Sequence, residues 1–189
     1  MEISQYHEDL ESVDPGLFNL IRLEDERQAR RLIMIPSESI APRAIFETLG
    51  SSFTNVYAEG YPRPETRFFT EDEIFDYTNM IGTYRRYSDA RFYKGVEYVD
   101  VVEALARRRC AEAFATDKVT SDELYVNVQP LSGAPANNAV YSALLSPGDT
   151  ILGMSLLHGG HLSHGSSVNR SGLLYNAQHY AVNMETERL

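Results

Sequence analysis

The chain has 189 residues, 43% of them hydrophobic, enough for one sizeable core within the usual size of a single domain. Its 27 acidic residues outweigh 17 basic ones, for a formal net charge of -10, and no Lys/Arg run offers a phosphate-backbone footprint, which argues against nucleic acid as a partner. The lone Cys110 excludes an intramolecular disulfide, the Met1–Leu10 start has Glu2, His7, Glu8 and Asp9 in place of an apolar signal region, and no stretch approaches the ~18 uninterrupted apolar residues of a membrane span, so a soluble cytoplasmic protein is expected.

In chain order, Asp14-Pro15-Gly16 reads as a turn, and Leu17 to Leu32 as an amphipathic surface helix in an N-terminal arm. Pro36 and Pro42 bracket Ser37-Glu38-Ser39, which should be an extended loop, with a helix following Pro42 through Leu49. Between Arg63 and Ala90 the chain is acidic and aromatic; Thr70-Glu71-Asp72-Glu73 has the capping-box form ahead of Ile74, Tyr77 and Ile81, and predicts a short helix.

Glu97 to Ala115 is the most strongly periodic helix, with Val99, Val102, Ala106, Cys110 and Ala113 at three- and four-residue steps, so Cys110 should be a buried or half-buried thiol. Leu124 to Val128 alternates as a strand does. Ser132-Gly133-Ala134-Pro135 then leads into a helix over Ala136 to Leu145, Ser146-Pro147-Gly148-Asp149 is a turn, Thr150 to Met154 a short apolar run, and His158 to Gly172 a loop rich in Gly, His and Ser. Strands alternating with helices predict an α/β layer with a largely parallel sheet.

Chemistry could reside in three of these stretches. At Ser132-Gly133-Ala134-Pro135, small residues at a helix N-terminus offer unpaired N–H groups to an anion, although a tight structural turn has the same composition. In His158-Gly159-Gly160-His161-Leu162-Ser163-His164 the imidazole spacing suits zinc or a general base, but two glycines break the helix that would make the rings converge; no metal site is predicted, and hydrogen bonding within the fold or stacking on an aromatic group remain open. In Tyr57-Ala58-Glu59-Gly60-Tyr61-Pro62 a carboxylate lies between two phenols and could act as an acid or base if partly desolvated, or be a plain surface glutamate.

In order, Ile35-Pro36-Ser37-Glu38-Ser39, Tyr57 to Pro62, Glu97-Tyr98-Val99-Asp100, Asn127 to Ala134, Gly153 to Gly165 and Ser171-Gly172 resemble the serine (glycine) hydroxymethyltransferase family from about Leu32 to about Asn176. The resemblance implies a pyridoxal-phosphate-dependent fold of the aspartate aminotransferase type (fold type I), truncated within its large domain. Residues 1–95 would be the N-terminal arm and helical segment, with an inserted stretch at 63–90, and residues 96–189 the first part of the cofactor-binding α/β domain.

By that resemblance Ser132, Gly133 and Ala134 cradle the phosphate of pyridoxal 5'-phosphate and His158 stacks on its ring. Ser37 helps hold the substrate carboxylate, Tyr57 and Tyr93 line the site, and Glu59 is the acid/base for the substrate hydroxyl. The implied activity interconverts serine and glycine with tetrahydrofolate as one-carbon carrier, in a homodimer or higher oligomer whose subunits share active sites through Glu59 and Tyr93. The ring-pairing aspartate, the Schiff-base lysine and the carboxylate-clamping arginine would lie beyond Leu189. The only lysines are Lys94 and Lys118, and neither matches the lysine pattern, so the 189 residues alone are expected to be inactive. Ser39, Leu131 and Lys94 depart from the family's usual Asn, large polar or aromatic residue, and Gly. Two alternatives stay in play: a related aldolase or hydroxymethyltransferase for an α-substituted amino acid, favoured by the 63–90 stretch, and an inactive fragment or partner of a full-length homologue.

Overall fold

Asp14-Pro15-Gly16 opens a helix where a turn was expected: the Asp14 carboxylate accepts the Leu17 N–H at 2.9 Å, and Pro15 occupies the first helical position, where its missing N–H costs nothing. The computed structural model describes residues 8–87 and 91–189, so most of the Met1–Leu10 start and the last residues of the 63–90 stretch lie outside the described residues. Packing divides the chain into a unit ending at Val56 and a second unit spanning Tyr57–Leu189, a different cut from the one at 95/96.

The first unit carries α1 (Leu10–Val13), α2 (Pro15–Arg30) and α3 (Arg43–Leu49). Along α2, Glu24 accepts two bonds from Arg27 at 2.7 Å each, and these bonds pull its carboxyl down to about 2. Ser37 lies in a turn closed by Glu38 N–H donating to the Ile35 carbonyl at 3.0 Å, and it is exposed.

The second unit begins with the 63–90 stretch, where the single expected helix is two, α4 (Glu71–Phe75) and α5 (Tyr77–Tyr87). The Thr70/Glu73 capping box forms as expected and starts α4. Asp76 ends α4 and caps α5, its carboxylate accepting the Asn79 N–H at 3.2 Å, which is why one periodic run splits in two. Both helices pack on α6 (Glu97–Phe114), and Ile74, Met80, Val101 and Ala104 form the core there with Phe69 and Leu105 against it.

Helix α6 has the expected extent but buries a different stripe, Asp100, Val101, Ala104 and Ala111. The expected face of Val99, Val102 and Ala106 instead lines an open groove with Ala58, Val128 and Gln129, and Val102 remains 39% exposed. The reason is electrostatic: Asp100 and Glu103 turn inward to meet Arg91, and that sets the rotation of the helix. Cys110 is half-buried, as expected.

Leu124 to Val128 is not a strand. Among the described residues nothing pairs with it, and a strand without a ladder partner leaves its backbone groups unsatisfied. The described sheet has two strands, β1 (Thr150–Met154) as expected and β2 (Asn176–Tyr180), parallel, with Thr150 opposite Asn176 and Met154 opposite Tyr180. Helix α7 (Gly133–Leu144) precedes β1, and the 155–175 crossover carries the histidines and α8 (Arg170–Leu174).

Candidate functional site

The segment around Glu59 is held from behind by a buried arginine. The Arg91 side chain is 1% exposed; its Nη1 donates to the carbonyls of Ala58 at 3.1 Å and Gly60 at 2.8 Å. Nε and Nη2 reach Asp100 and Glu103 at 3.1 and 2.7 Å. The carbonyl of Glu59 accepts the Phe92 N–H at 3.0 Å, and Gly60 pairs with Arg91 in an isolated antiparallel bridge. Gly60 adopts φ 107°, a conformation that disfavours any side chain.

Burial pushes the Asp100 carboxyl up, and the Arg91 guanidinium pulls it back. The Tyr57 and Tyr93 rings meet edge to face at 4.7 Å, and Glu59, two residues after Tyr57, is exposed. The Tyr84 hydroxyl donates to the Tyr93 carbonyl at 3.3 Å, so the α5 helix supports Tyr93 directly.

At the second site Ser132 is the N-cap of α7, yet its hydroxyl makes no capping bond. Gly133 and Ala134 occupy the first two helical positions, where N–H groups have no intrahelical acceptor, and Pro135 has none to offer. Among the described residues nothing accepts from either N–H, and a side chain added at Gly133 meets nothing within 4 Å. One hydroxyl and two N–H groups at the positive end of a twelve-residue helix are a donor set that fits a phosphate dianion.

One turn into α7, the Asn137 amide donates to Ser163 Oγ at 2.7 Å and lies 3.2 Å from His164 Nε2. Fully buried Ser163 in turn holds His161: its N–H donates to Nδ1 at 3.1 Å and its hydroxyl lies 2.8 Å from the same nitrogen. The Ser163 N–H thus makes Nδ1 of His161 an acceptor within the network. Two glycines make the close loop packing possible. A Cβ on Gly160 would strike the Met154 carbonyl, and Gly165, at φ 98°, would place one 2.5 Å from the Ala177 Cβ. A cavity of about 620 Å³ is lined by Tyr141, Met154, Gly159, Gly160, His161 and His164.

The expected residues therefore fall into three places. Tyr57, Glu59 and Tyr93 come together; Ser132, Gly133 and Ala134 form one turn, tied to the histidine loop through Asn137; Ser37 belongs to the other unit. His158 is half-buried, and among the described residues its ring makes no hydrogen bond and does not line the cavity that His161 and His164 line. No group of His, Cys, Asp and Glu among the described residues could hold a metal. Arg91, Asn137, Gln129 and Ser163 were missed. A signal for Arg91 was available in the acidic pair Asp100 and Glu103, which sits one turn apart beside apolar Val101 and Ala104 and calls for an inward-facing cation.

Taken together, a helix N-terminus with three donors unused among the described residues, tied to a loop of oriented imidazoles and followed by parallel strands, describes an α/β protein with a turn whose donors suit an anion. The family model described as serine hydroxymethyltransferase matches residues 10–88 and 83–189, the two matches meeting within the 63–90 stretch. Serine hydroxymethyltransferase of Kocuria rhizophila is 45% identical over 189 residues, all of this chain and 37% of the relative. That of Nitrosospira multiformis is 45% identical over 180 residues, 95% of this chain and 35% of the relative, and that of Acinetobacter baumannii 44% over 173 residues, 92% and 34%. The chain belongs to the serine hydroxymethyltransferase family, and so to the pyridoxal-phosphate-dependent proteins of fold type I. It spans 34–37% of the length of these curated relatives.

Proposed function

We propose that this chain supplies the phosphate turn and the hydroxyl-handling glutamate of a full-length serine/glycine hydroxymethyltransferase that uses pyridoxal 5'-phosphate and tetrahydrofolate. The observation that carries the reading is the set of unused donors on Ser132, Gly133 and Ala134 in a chain of this family. When bound, the cofactor withdraws the electrons released at the α carbon of the amino acid.

The residues here do the rest of the work assigned to this part of the protein. Ser132 Oγ and the N–H groups of Gly133 and Ala134 hold the phosphate. Ser37 helps bind the substrate carboxylate, Tyr57 and Tyr93 line the site, and Glu59 holds and returns the proton at the substrate hydroxyl oxygen. For the imidazole stacked on the cofactor ring, the family resemblance favours His158. The hydrogen bonds favour His161, whose ring is oriented by Ser163 and borders the cavity. The Schiff-base lysine is provided outside these 189 residues, and the working form is a cytoplasmic homodimer or higher oligomer with shared sites.

Glu59→Gln in the full-length protein leaves cofactor binding intact and lowers serine cleavage by about 10²- to 10⁴-fold. Wild-type turnover by that variant overturns the assignment. A second reading, a related aldolase or a hydroxymethyltransferase for an α-substituted amino acid, is favoured by the 63–90 helices, which reach the Tyr93 carbonyl through Tyr84. Serine cleavage that does not respond to tetrahydrofolate would decide for it.

A further inference from the structure

Three successive carbonyls, those of Ala58, Glu59 and Gly60, are all engaged by the 91–92 segment: the outer two by Arg91 Nη1 and the middle one by the Phe92 N–H. Such a segment cannot flip a peptide without breaking a bond to the buried Arg91 side chain or to the Phe92 N–H, so the Cα–Cβ direction of Glu59 is fixed although its carboxylate is exposed. Gln129 closes the arrangement from the other side. Its Nε2 donates to the Gly60 carbonyl at 2.6 Å and to Glu103 Oε1 at 2.9 Å, while the other Glu103 oxygen accepts from Arg91.

The Gln129 backbone is itself held by its N–H donating to the Asn127 side chain at 2.9 Å, and Ser132, the first phosphate donor, lies three residues further on. The acid/base segment and the loop entering the phosphate turn are therefore joined by one Gln129 side-chain hydrogen bond directly, to Gly60, and by a second indirectly, through Glu103 and Arg91.

We propose that Arg91, Glu103 and Gln129 form a positioning unit that sets the Glu59 carboxylate in register with the Ser132 turn, Gln129 being its connecting member. The proposal rests on the reading of Glu59 as the acid/base group. Neither Arg91 nor Gln129 touches substrate in it; Arg91 acts through the carbonyls on both sides of Glu59, and Gln129 through that of Gly60 alone.

The test uses the full-length protein loaded with pyridoxal phosphate and four variants: Gln129→Ala, Gln129→Glu, Arg91→Lys and Glu59→Gln. Gln129 is exposed, so Gln129→Ala folds and keeps its cofactor. The expected result is an unchanged KM for serine, a kcat lower by on the order of 10- to 10²-fold, and faster amide exchange at Phe92. Gln129→Glu, which sets a carboxylate against Glu103, gives a larger kcat loss. Arg91→Lys retains the charge but not the fork, and retains less Phe92 protection than wild type.

Wild-type kcat together with wild-type Phe92 exchange in Gln129→Ala overturns the proposal, as does lost protection with unchanged kcat while Glu59→Gln is inactive. Parallel losses of cofactor, KM and global stability overturn it in favour of a merely structural network. If Glu59→Gln turns over normally, the acid/base reading fails by itself; Phe92 exchange in Gln129→Ala then decides the positioning unit, lost protection supporting it and retained protection overturning it.

Discussion

The ring of Tyr57 stands edge-on to the ring of Tyr93 at a centroid distance of 4.7 Å, with planes 79° apart, and this contact adds a side-chain link between the Glu59 segment and the 91–93 segment to which its carbonyls are bonded. Tyr57 is 66% and Tyr93 48% exposed, so area burial adds little and the ring geometry itself should dominate. In a double-mutant cycle with Tyr57→Leu and Tyr93→Leu, denaturant titration of the full-length protein is expected to give a coupling of about 0.5–1 kcal/mol. Additive single effects would show the rings to be independent.

Arg91→Ala strands Asp100 and Glu103, whose side chains are 8% and 10% exposed, and is expected to destabilise the protein by about 3–5 kcal/mol. The Asp100 carboxyl is already raised by burial, and losing Arg91 raises it further. A folded-state value above the unfolded one penalises the fold once pH rises past the unfolded value, so the deficit of Arg91→Ala is greatest at neutral pH and shrinks in acid. Denaturant midpoints of wild type and variant across pH check both size and sign; a pH-independent deficit contradicts the account.

Ser132→Ala separates binding from folding. The Ser132 hydroxyl makes no capping bond, so its removal should leave thermal stability of the cofactor-free protein within about 0.5 kcal/mol. The same change removes one charge-assisted donor to the phosphate and should weaken pyridoxal phosphate binding by roughly tenfold or more. Equilibrium dialysis and a melting curve on the same preparation suffice.

The capping carboxylates make an acid-sensitive pair. Glu73 accepts the Thr70 N–H at 2.8 Å and hydroxyl at 2.9 Å, Glu123 does the same for Thr120 at 2.8 and 2.9 Å, and these backbone bonds first, then the hydroxyls, hold both carboxyls below their ordinary value. Their stabilisation is present above the unfolded value and lost as pH falls through the folded one. Between about pH 5 and pH 3 the wild type should lose thermal stability more steeply than the Glu73→Gln, Glu123→Gln double variant. Superimposable pH profiles would remove the carboxylates from the explanation.

What could be read in the sequence was what a few neighbouring residues decide. The Thr70 capping box, the helix after Pro42, the extent of α6 and the β1 run all depend on contacts within one or two turns, and they are where the residues indicated; α7 was expected from Ala136 but starts three residues earlier, at Gly133, because Pro135 is tolerated in a first helical turn. Asp14 and Pro15 misled because the same pair starts turns and helices, and the following sixteen residues decide which. The buried side of α6 was hard to read because Val99, Val102 and Ala106 are as apolar as Val101 and Ala104; the acidic pair Asp100 and Glu103 was the signal, and Arg91, nine and twelve residues away, makes the choice. Strand β2 was missed because Asn176 to Tyr180 is mostly polar and exposed, held by its ladder to β1 more than by any hydrophobic face. At the sites, the small-residue turn was legible, whereas the partition of the histidines was not, since Ser163 and Asn137, which orient two of them, look like ordinary loop and helix residues.

The histidine loop is also the crossover between β1 and β2, and this ties its assembly to a slow kind of event. Parallel strands cannot pair until the whole connection has been laid down, so the 155–175 segment must be synthesised and looped before Thr150 finds Asn176. On the ribosome, the ladder that closes this crossover is thus a late acquisition, complete only after Tyr180 has emerged. A synonymous pause just beyond that codon would lengthen the time available for ring and ladder to settle together, and a library that lengthens the loop would be selected on folding rate before it was ever selected on chemistry.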